Sequence, residues 1–437
     1  MPDGRPCCQA RSHAGLEAGR IAVLAPRADT PSHDATSIVI ARGLRGFADG
    51  IVSVLLPGHL VTLGFASFEI GAIVTGTLLG SAALTIAVGL AGNRLDRRRL
   101  LLGAAVLMLV TGVAFAGLTQ FWPLLVVAVV GTLNPSAGDV SVFLPTEQAE
   151  LAHAVPAARR TRAFAAYNVS GNVAGAVGAL ASAGPAIIAN RLGADVALAE
   201  RCGFVVYAAV AVVVGVIYLR LRGSGAVATG APLARSRRTV LELAALFSLD
   251  SFGGGFVVQS LLVLWLYRRF GLRVEAAAAI FFATGILGAA SQWVSAQLAA
   301  RIGHVRTMVY THVPANLLLV LAGIAPTAPL AVACLLLRGL LSQMDVPARQ
   351  AYVMAVVPPD ERTAAASVTN VPRSLAAAVP PLLTGLMFDR VGLAWPLVCA
   401  GVLKLAYDVL LLARFGRVAP LPEVEHGRPQ QSGRTPT

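Results

Sequence analysis

Apolar runs of about 20 residues recur along nearly the whole chain, separated by short arginine-bearing connections. Each is long enough to cross a hydrocarbon layer of roughly 30 Å as a helix rising 1.5 Å per residue. Twelve spans are predicted: 38–63, 70–90, 100–119, 121–144, 163–189 and 202–221, then 241–267, 275–300, 307–325, 328–352, 363–388 and 394–415. The third and fourth, and the ninth and tenth, are so close in sequence that each pair must form a tight helical hairpin.

The pattern repeats at a spacing of 202 residues. Leu144-Pro145-Thr146-Glu147-Gln148 is answered by Val346-Pro347-Ala348-Arg349-Gln350, and Val155-Pro156, Arg160-Thr161 and Asn168-Val169 by Val357-Pro358, Arg362-Thr363 and Asn370-Val371. In a chain this apolar, such a repeat means two similar helical bundles side by side in a bilayer, as in many secondary transporters. The expected fold class is all-α and polytopic, with 12 transmembrane helices in two pseudo-symmetric six-helix bundles, 37–221 and 239–415. Residues 1–36 have no long apolar stretch and read as a disordered cytoplasmic leader rather than a signal peptide. Residues 222–238 read as a basic cytoplasmic linker and 416–437 as a disordered tail.

Composition agrees with the pattern: 56% of residues are hydrophobic and 13% charged, against roughly 25% charged in a soluble domain. Mean hydropathy is +0.71. The net charge of +13 is divided among short loops, which argues against a nucleic-acid surface. Arg94, Arg97, Arg98 and Arg99, then Arg159, Arg160 and Arg162, then Arg220 to Arg238, then Arg301 and Arg306 all fall on one side of the twelve crossings. By the positive-inside rule that side, with both termini, is cytoplasmic. Arg268, Arg269 and Arg273 are the exception on the other face. The five cysteines form neither a disulfide framework nor a zinc pattern, and no cofactor or metal is implied.

Between the second and third spans, Gly89-Leu90-Ala91-Gly92-Asn93-Arg94-Leu95-Asp96-Arg97-Arg98-Arg99 resembles the signature loop of the major facilitator superfamily. That loop usually reads Gly, three residues, Asp, Arg, any residue, Gly, then basic residues. A weaker copy, Arg301-Ile302-Gly303 with Arg306, occupies the equivalent loop of the second half. Asn93 stands at the family's acidic position and Asp96 at its second glycine. The resemblance implicates the acidic position in latching the cytoplasmic side, so either Asp96 has taken over or the latch is weaker. Gly171, Gly175 and Gly178 in the fifth span are loosely similar to a glycine motif of drug:proton antiporters, with Ala176 where that motif has proline. Spacing of this kind also serves close helix packing.

Ionisable groups inside a membrane are costly and are functional candidates by default. Asp49, Asp139 and Asp345 are the proton-coupling candidates, since a desolvated carboxylate can take and lose a proton. Matching the first helix of each half sets Arg45 opposite Asp250, and the repeat sets Glu147 opposite Arg349. Both pairs invert their charge. They are candidates for a cytoplasmic gate, forming ion pairs across the bundles in the outward-facing state; the alternative is pairing within each half. Arg42, Arg338, Gln259 and Asn172 are candidates for a substrate cavity, and Lys404 reads as an i,i+4 partner of Asp408.

Other classes lack support. There is no His-Glu-x-x-His pair and no Gly-x-x-x-x-Gly-Lys loop, so neither an enzyme nor a nucleotide-driven pump is expected. The expectation is a secondary transporter of the inner membrane, exporting a small compound in exchange for protons, monomeric as is usual for the superfamily. Uptake of a small polar or anionic solute is the alternative that Arg338 favours, and a transport-dead receptor on the same fold is a second.

Overall fold

The computed structural model describes residues 33–91, 96–136, 143–156, 159–193, 195–221, 234–358 and 361–416. Regular structure among them is helical throughout. The first half holds α1 (His33–Thr62), α2 (Ser67–Ala91), α3 (Arg97–Gly117), α4 (Phe121–Val130), α5 (Phe143–Ala154), α6 (Arg160–Ala181), α7 (Gly184–Leu192) and α8 (Val196–Leu219). The second holds α9 (Arg237–Gly255), α10 (Gln259–Phe270), α11 (Val274–Ile302), α12 (His304–Ile324), α13 (Ala328–Ser342), α14 (Asp345–Val356), α15 (Arg362–Ala378), α16 (Pro380–Arg390) and α17 (Trp395–Phe415). These helices compose the twelve spans: α4/α5, α6/α7, α9/α10, α13/α14 and α15/α16 are two-part crossings, and the other helices cross singly. Most of the leader, residues 222–233 of the linker and the tail from 417 lie outside the described residues. α1 starts at His33, inside the stretch expected to be disordered, because Ala35 and Ile38 are already buried.

Among the described residues, ten segments are long and apolar enough to cross a membrane by length and composition. The remaining two crossings are α1, which carries Arg42, Arg45 and Asp49, and the fourth, whose first helix spans only 10 residues. The sequence pattern predicts a continuous helix over 121–144, but α4 ends at Val130. The reason is local: Asn134-Pro135 follows, and proline both lacks an N–H and disfavours helical geometry in the residue before it. Neighbours satisfy the freed backbone. Tyr207 Oη donates to Thr132 O at 3.0 Å, and the Thr132 N–H reaches Thr111 Oγ1 at 3.4 Å. Backbone of this kind is tolerated at membrane depth where protein covers it.

With twelve crossings, α1 begins and α17 ends on one face, called here the near face; the opposite one is the far face. Glycines let helices touch backbone to backbone. A Cβ on Gly50 would lie 2.1 Å from Gly175 O, and one on Gly178 would lie 2.0 Å from Phe47 O, so α1 and α6 lie flush. That packing is what the glycines of the fifth span do here. Between the bundles, α2 lies on α16 toward the far face, where a Cβ on Gly71 would be 2.5 Å from Pro381 O and one on Gly385 would be 2.3 Å from Ser67 O.

One hydrophobic core runs through the N-terminal bundle and on into the far half of the other, including Leu261–Leu266, Leu319 and Ala400. A second core, with Leu243, Phe247, Met308, Tyr352 and Leu411, fills only the near half of the C-terminal bundle. Polar side chains separate the two. At the near face Glu361 closes the entry to α9: Ser236 Oγ and the N–H groups of Arg235, Ser236 and Ala234 all donate to its carboxylate. Those donors, Ser236 Oγ foremost, hold the Glu361 carboxyl down at about 2.

Candidate functional site

Each bundle buries a charged cluster in its near half. In the N-terminal bundle, Arg45 of α1 is paired with Glu147 of α5, and Glu147 is wholly inaccessible. Tyr167 of α6 donates to Glu147 Oε2 at 2.5 Å and Tyr218 of α8 donates to Oε1. The Phe143 ring lies 4.1 Å from the Arg45 guanidinium carbon. The carboxylate therefore has a cation and two hydroxyls, which is what an ion pair needs to offset its desolvation.

Asp49, one turn along α1, is 7% exposed and differently placed. Asn134 of the opened fourth crossing hydrogen-bonds it, and the Ser136 N–H and hydroxyl in turn donate to Asn134 Oδ1 at 3.2 and 2.8 Å. Among the described residues no cation lies within 4 Å of Asp49. Arg42 rests in the groove over Gly171, where a Cβ would lie 2.4 Å from its Nε, and on the Tyr167 ring at 5.5 Å. Its Nε is buried without a hydrogen-bond partner among the described residues.

The C-terminal bundle repeats the theme with the signs exchanged. Asp250 of α9 accepts from Lys404 Nζ of α17 at 2.6 Å, with Arg349 Nη1 of α14 at 3.7 Å and His312 Nε2 of α12 at 3.9 Å. Arg349 Nη1 also donates to Asp345 Oδ2 at 3.0 Å. Asp408 shares a hydrogen bond with His312 Nδ1 at 3.0 Å and accepts from Asn316 Nδ2 at 2.8 Å. Arg338 on α13 is half-buried; its Nε has no hydrogen-bond partner, and no carboxylate lies within ion-pairing distance among the described residues.

Arg45 thus pairs with Glu147 and Asp250 with Arg349, each inside its own bundle, and no ion pair joins the two sets among the described residues. Inversion at equivalent positions has the same physical content either way, because one opposite-charge pair is obtained per bundle or two across them. Lys404 does not turn along its helix to Asp408; it crosses to Asp250, and His312 takes its place beside Asp408. His312, Tyr167 and Tyr218 carried no sequence signal, being a lone histidine and two tyrosines on apolar helices.

Gln259 opens α10 and donates to Ser53 Oγ of α1 at 2.9 Å, so it spans the bundles. Beside it the Ser260 N–H donates to Pro135 O at 3.2 Å, joining the broken fourth and seventh crossings. Toward the far face the Leu382 N–H donates to Thr75 Oγ1 and the Phe68 N–H to Asp389 Oδ2, both at 2.9 Å. These bonds between the bundles lie from the middle of the crossings outward to the far face. Asn172 is half-buried on α6.

Of the signature loop, Gly89 belongs to α2, while Asn93 and Arg94 lie outside the described residues, as does Asp139. Asp96 is the N-cap of α3, accepting from the Arg98 N–H at 3.3 Å. Arg97 Nη1 reaches Glu150 Oε2 at 3.5 Å, and the Arg98 guanidinium bonds Leu219 O. The C-terminal end of the loop is thereby tied to α5 and α8.

A family model described as Major Facilitator Superfamily matches residues 38–321. A Saccharomyces cerevisiae protein named "Uncharacterized membrane protein YJR124C" is 25% identical over 410 residues, 85% of this chain and 92% of that one. Among solved structures, the D-xylose-proton symporter superposes with a TM-score of 0.70 at 15% identity, over 86% of this chain and 97% of that one. A point mutant of the nucleoside transporter NupG gives a TM-score of 0.69 at 14% identity, over 87% of this chain and all of that one.

Proposed function

The chain belongs to the major facilitator superfamily, and on that footing we propose that it is a proton-coupled secondary transporter in which Asp49 carries the proton. It is a multi-pass membrane protein, and the arginine-rich near face is read as cytoplasmic in an inner membrane. The two bundles rock about an interface of flush helices, which is the motion such repeats permit.

The observation that carries the reading is the contrast between two buried carboxylates of one bundle. Glu147 is held by Arg45 and two tyrosine hydroxyls. Asp49 has an amide partner, Asn134, and no ion pair within 4 Å among the described residues, the Arg45 and Arg42 charges acting on it only from farther off. Of the other proton-coupling candidates, Asp345 is committed to Arg349 at 3.0 Å. A carboxylate without a fixed counter-charge gains most from neutralisation while the bundles move.

The transport mode proposed first is export of a small compound in exchange for protons, which suits an acidic residue in the first helix. A second reading, carriage of a small anionic or polar solute, is favoured by the guanidinium of Arg338, which no carboxylate neutralises within 4 Å among the described residues. The D-xylose-proton symporter and the nucleoside transporter share the fold with this chain, and both readings fit a monomer working in a lipid bilayer.

The test is proton movement in liposomes containing purified protein, screened with toxic organics, metalloids and small anions beside Asp49→Asn. A compound-dependent proton flux that disappears in Asp49→Asn is expected. Solute flux without proton movement, or with proton movement intact in the variant, would remove Asp49 from the proton path.

A further inference from the structure

A cavity of 350 Å³ opens at the near face within the C-terminal bundle, away from the interface between bundles. The end of α11, the start of α12, α14 and the end of α17 enclose it. Its volume falls in the range of small-ligand sites. Ile302, Val305 and Phe415 form an apolar wall; His304, Arg306 and Tyr352 are its polar members, and among the described residues no carboxylate lines it.

Three independent features of this cavity await an acceptor. Tyr352 is 2% exposed, yet its hydroxyl has no hydrogen-bond partner among the described residues. His304 Nδ1 is buried and equally without one. Buried polar groups are bonded in the great majority of cases, so two orphans on residues that line one cavity call for a ligand. The third feature is the start of α12 itself. Its N-cap is Gly303, which has no side chain to bond the first-turn N–H groups, and the first N–H to find a helical acceptor is that of Thr307. A helix start left open in this way carries a partial positive charge and donors aimed outward. Arg306, exposed and without an ion pair among the described residues, adds a full positive charge at the rim.

We propose that this cavity is a binding site for a phosphate-class oxyanion, the anion seated between the start of α12, Arg306 and the Tyr352 hydroxyl. The apolar wall accepts the hydrocarbon that such a group carries when it is a lipid headgroup; a free phosphate uses the same donors without the wall. Occupancy ties the ends of four helices of one bundle together, and it requires neither a transported substrate nor a proton gradient.

The experiment follows the thermal unfolding midpoint of the full chain in nonionic detergent at constant ionic strength. The probes are dioctanoyl phosphatidylglycerol, sodium phosphate, and dioctanoylglycerol as the phosphate-free control. A saturable rise with a phosphate-bearing probe and none with dioctanoylglycerol is expected. The apparent affinity should weaken about tenfold or more in Arg306→Gln and in Tyr352→Phe, since each removes a bond to a charged group; Arg301→Gln, exposed and outside the cavity, should match wild type. A response to phosphatidylglycerol at concentrations where phosphate gives none identifies a lipid headgroup, and equal responses identify a free oxyanion; both support the site. No saturable rise with either phosphate compound, or affinities in both variants within twofold of wild type, would overturn it.

Discussion

Glu147→Arg separates pairing within a bundle from pairing between bundles. The substitution places two guanidinium groups in a site where Arg45 is 1% and Glu147 0% exposed. Breaking a buried ion pair by removing one partner costs about 3–5 kcal/mol, because the survivor keeps its desolvation penalty without its counter-charge. The Tyr167 and Tyr218 hydroxyls lose their acceptor as well, at about 1–3 kcal/mol each if left unbonded. At roughly 2–4 °C per kcal/mol for a unit of this size, the melting midpoint followed by far-ultraviolet circular dichroism should fall by about 10 °C or more. Adding Arg45→Glu restores opposite charges at the same two positions and should recover around half of that loss, the tyrosines remaining short of an acceptor. Adding Arg349→Glu instead should recover nothing and should cost more, since it strips Asp345 of its 3.0 Å partner. Rescue by Arg349→Glu and not by Arg45→Glu would refute the within-bundle account.

Lys404→Met should destabilise by about 1–3 kcal/mol, since Asp250 loses its 2.6 Å charged donor and keeps only Arg349 and His312 at 3.7 and 3.9 Å, and Asp250→Asn in the same chain should restore part of the midpoint. Glu361 gives a pH signature: its folded value, about 2, lies below the ordinary 4.5. Its stabilising contribution is therefore complete above about pH 4.5 and is lost as pH falls through about 2. Glu361→Gln should flatten the fall of the midpoint over that window, and an unchanged slope would count against the cap. Gly71→Leu should wedge the bundles apart at the far face, because even a Cβ would sit 2.5 Å from Pro381 O. Ser53→Cys, at a position with no exposure in this structure, should then react with an impermeant maleimide faster when Gly71→Leu is also present.

The crossings and the two-bundle fold were legible because hydrophobic length and internal repetition are properties of the chain alone. Partners were less so. Depth along a span placed Arg45, Glu147, Asp250 and Arg349 near one face, but choosing among opposite charges at similar depth requires the helix rotations that only packing fixes. Lys404 shows the difficulty: Asp408 is its neighbour by helical spacing, and yet its side chain ends 2.6 Å from Asp250 on another helix. The opening of the fourth crossing did have a local signal in Asn134-Pro135, outweighed by the apolar residues on either side. Its significance, an amide held against Asp49, appears only when the chain folds back.

The continuity of the larger hydrophobic core bears on how the protein is made. Synthesis delivers the N-terminal bundle first, yet part of its core is completed by Leu261–Leu266, Leu319 and Ala400, and the flush surface around Gly71 is covered only when Pro381 and Gly385 have emerged. Until then lipid must cover that seam, with a glycine-rich helix face presented to acyl chains that fit it poorly. The near half of the C-terminal bundle closes around its own core, but Leu411 and Phe415 of the last crossing belong to that core, so it too is completed late. Assembly in the membrane thus has an order written into it: the first bundle can insert early, but it stays unfinished until the last two crossings arrive.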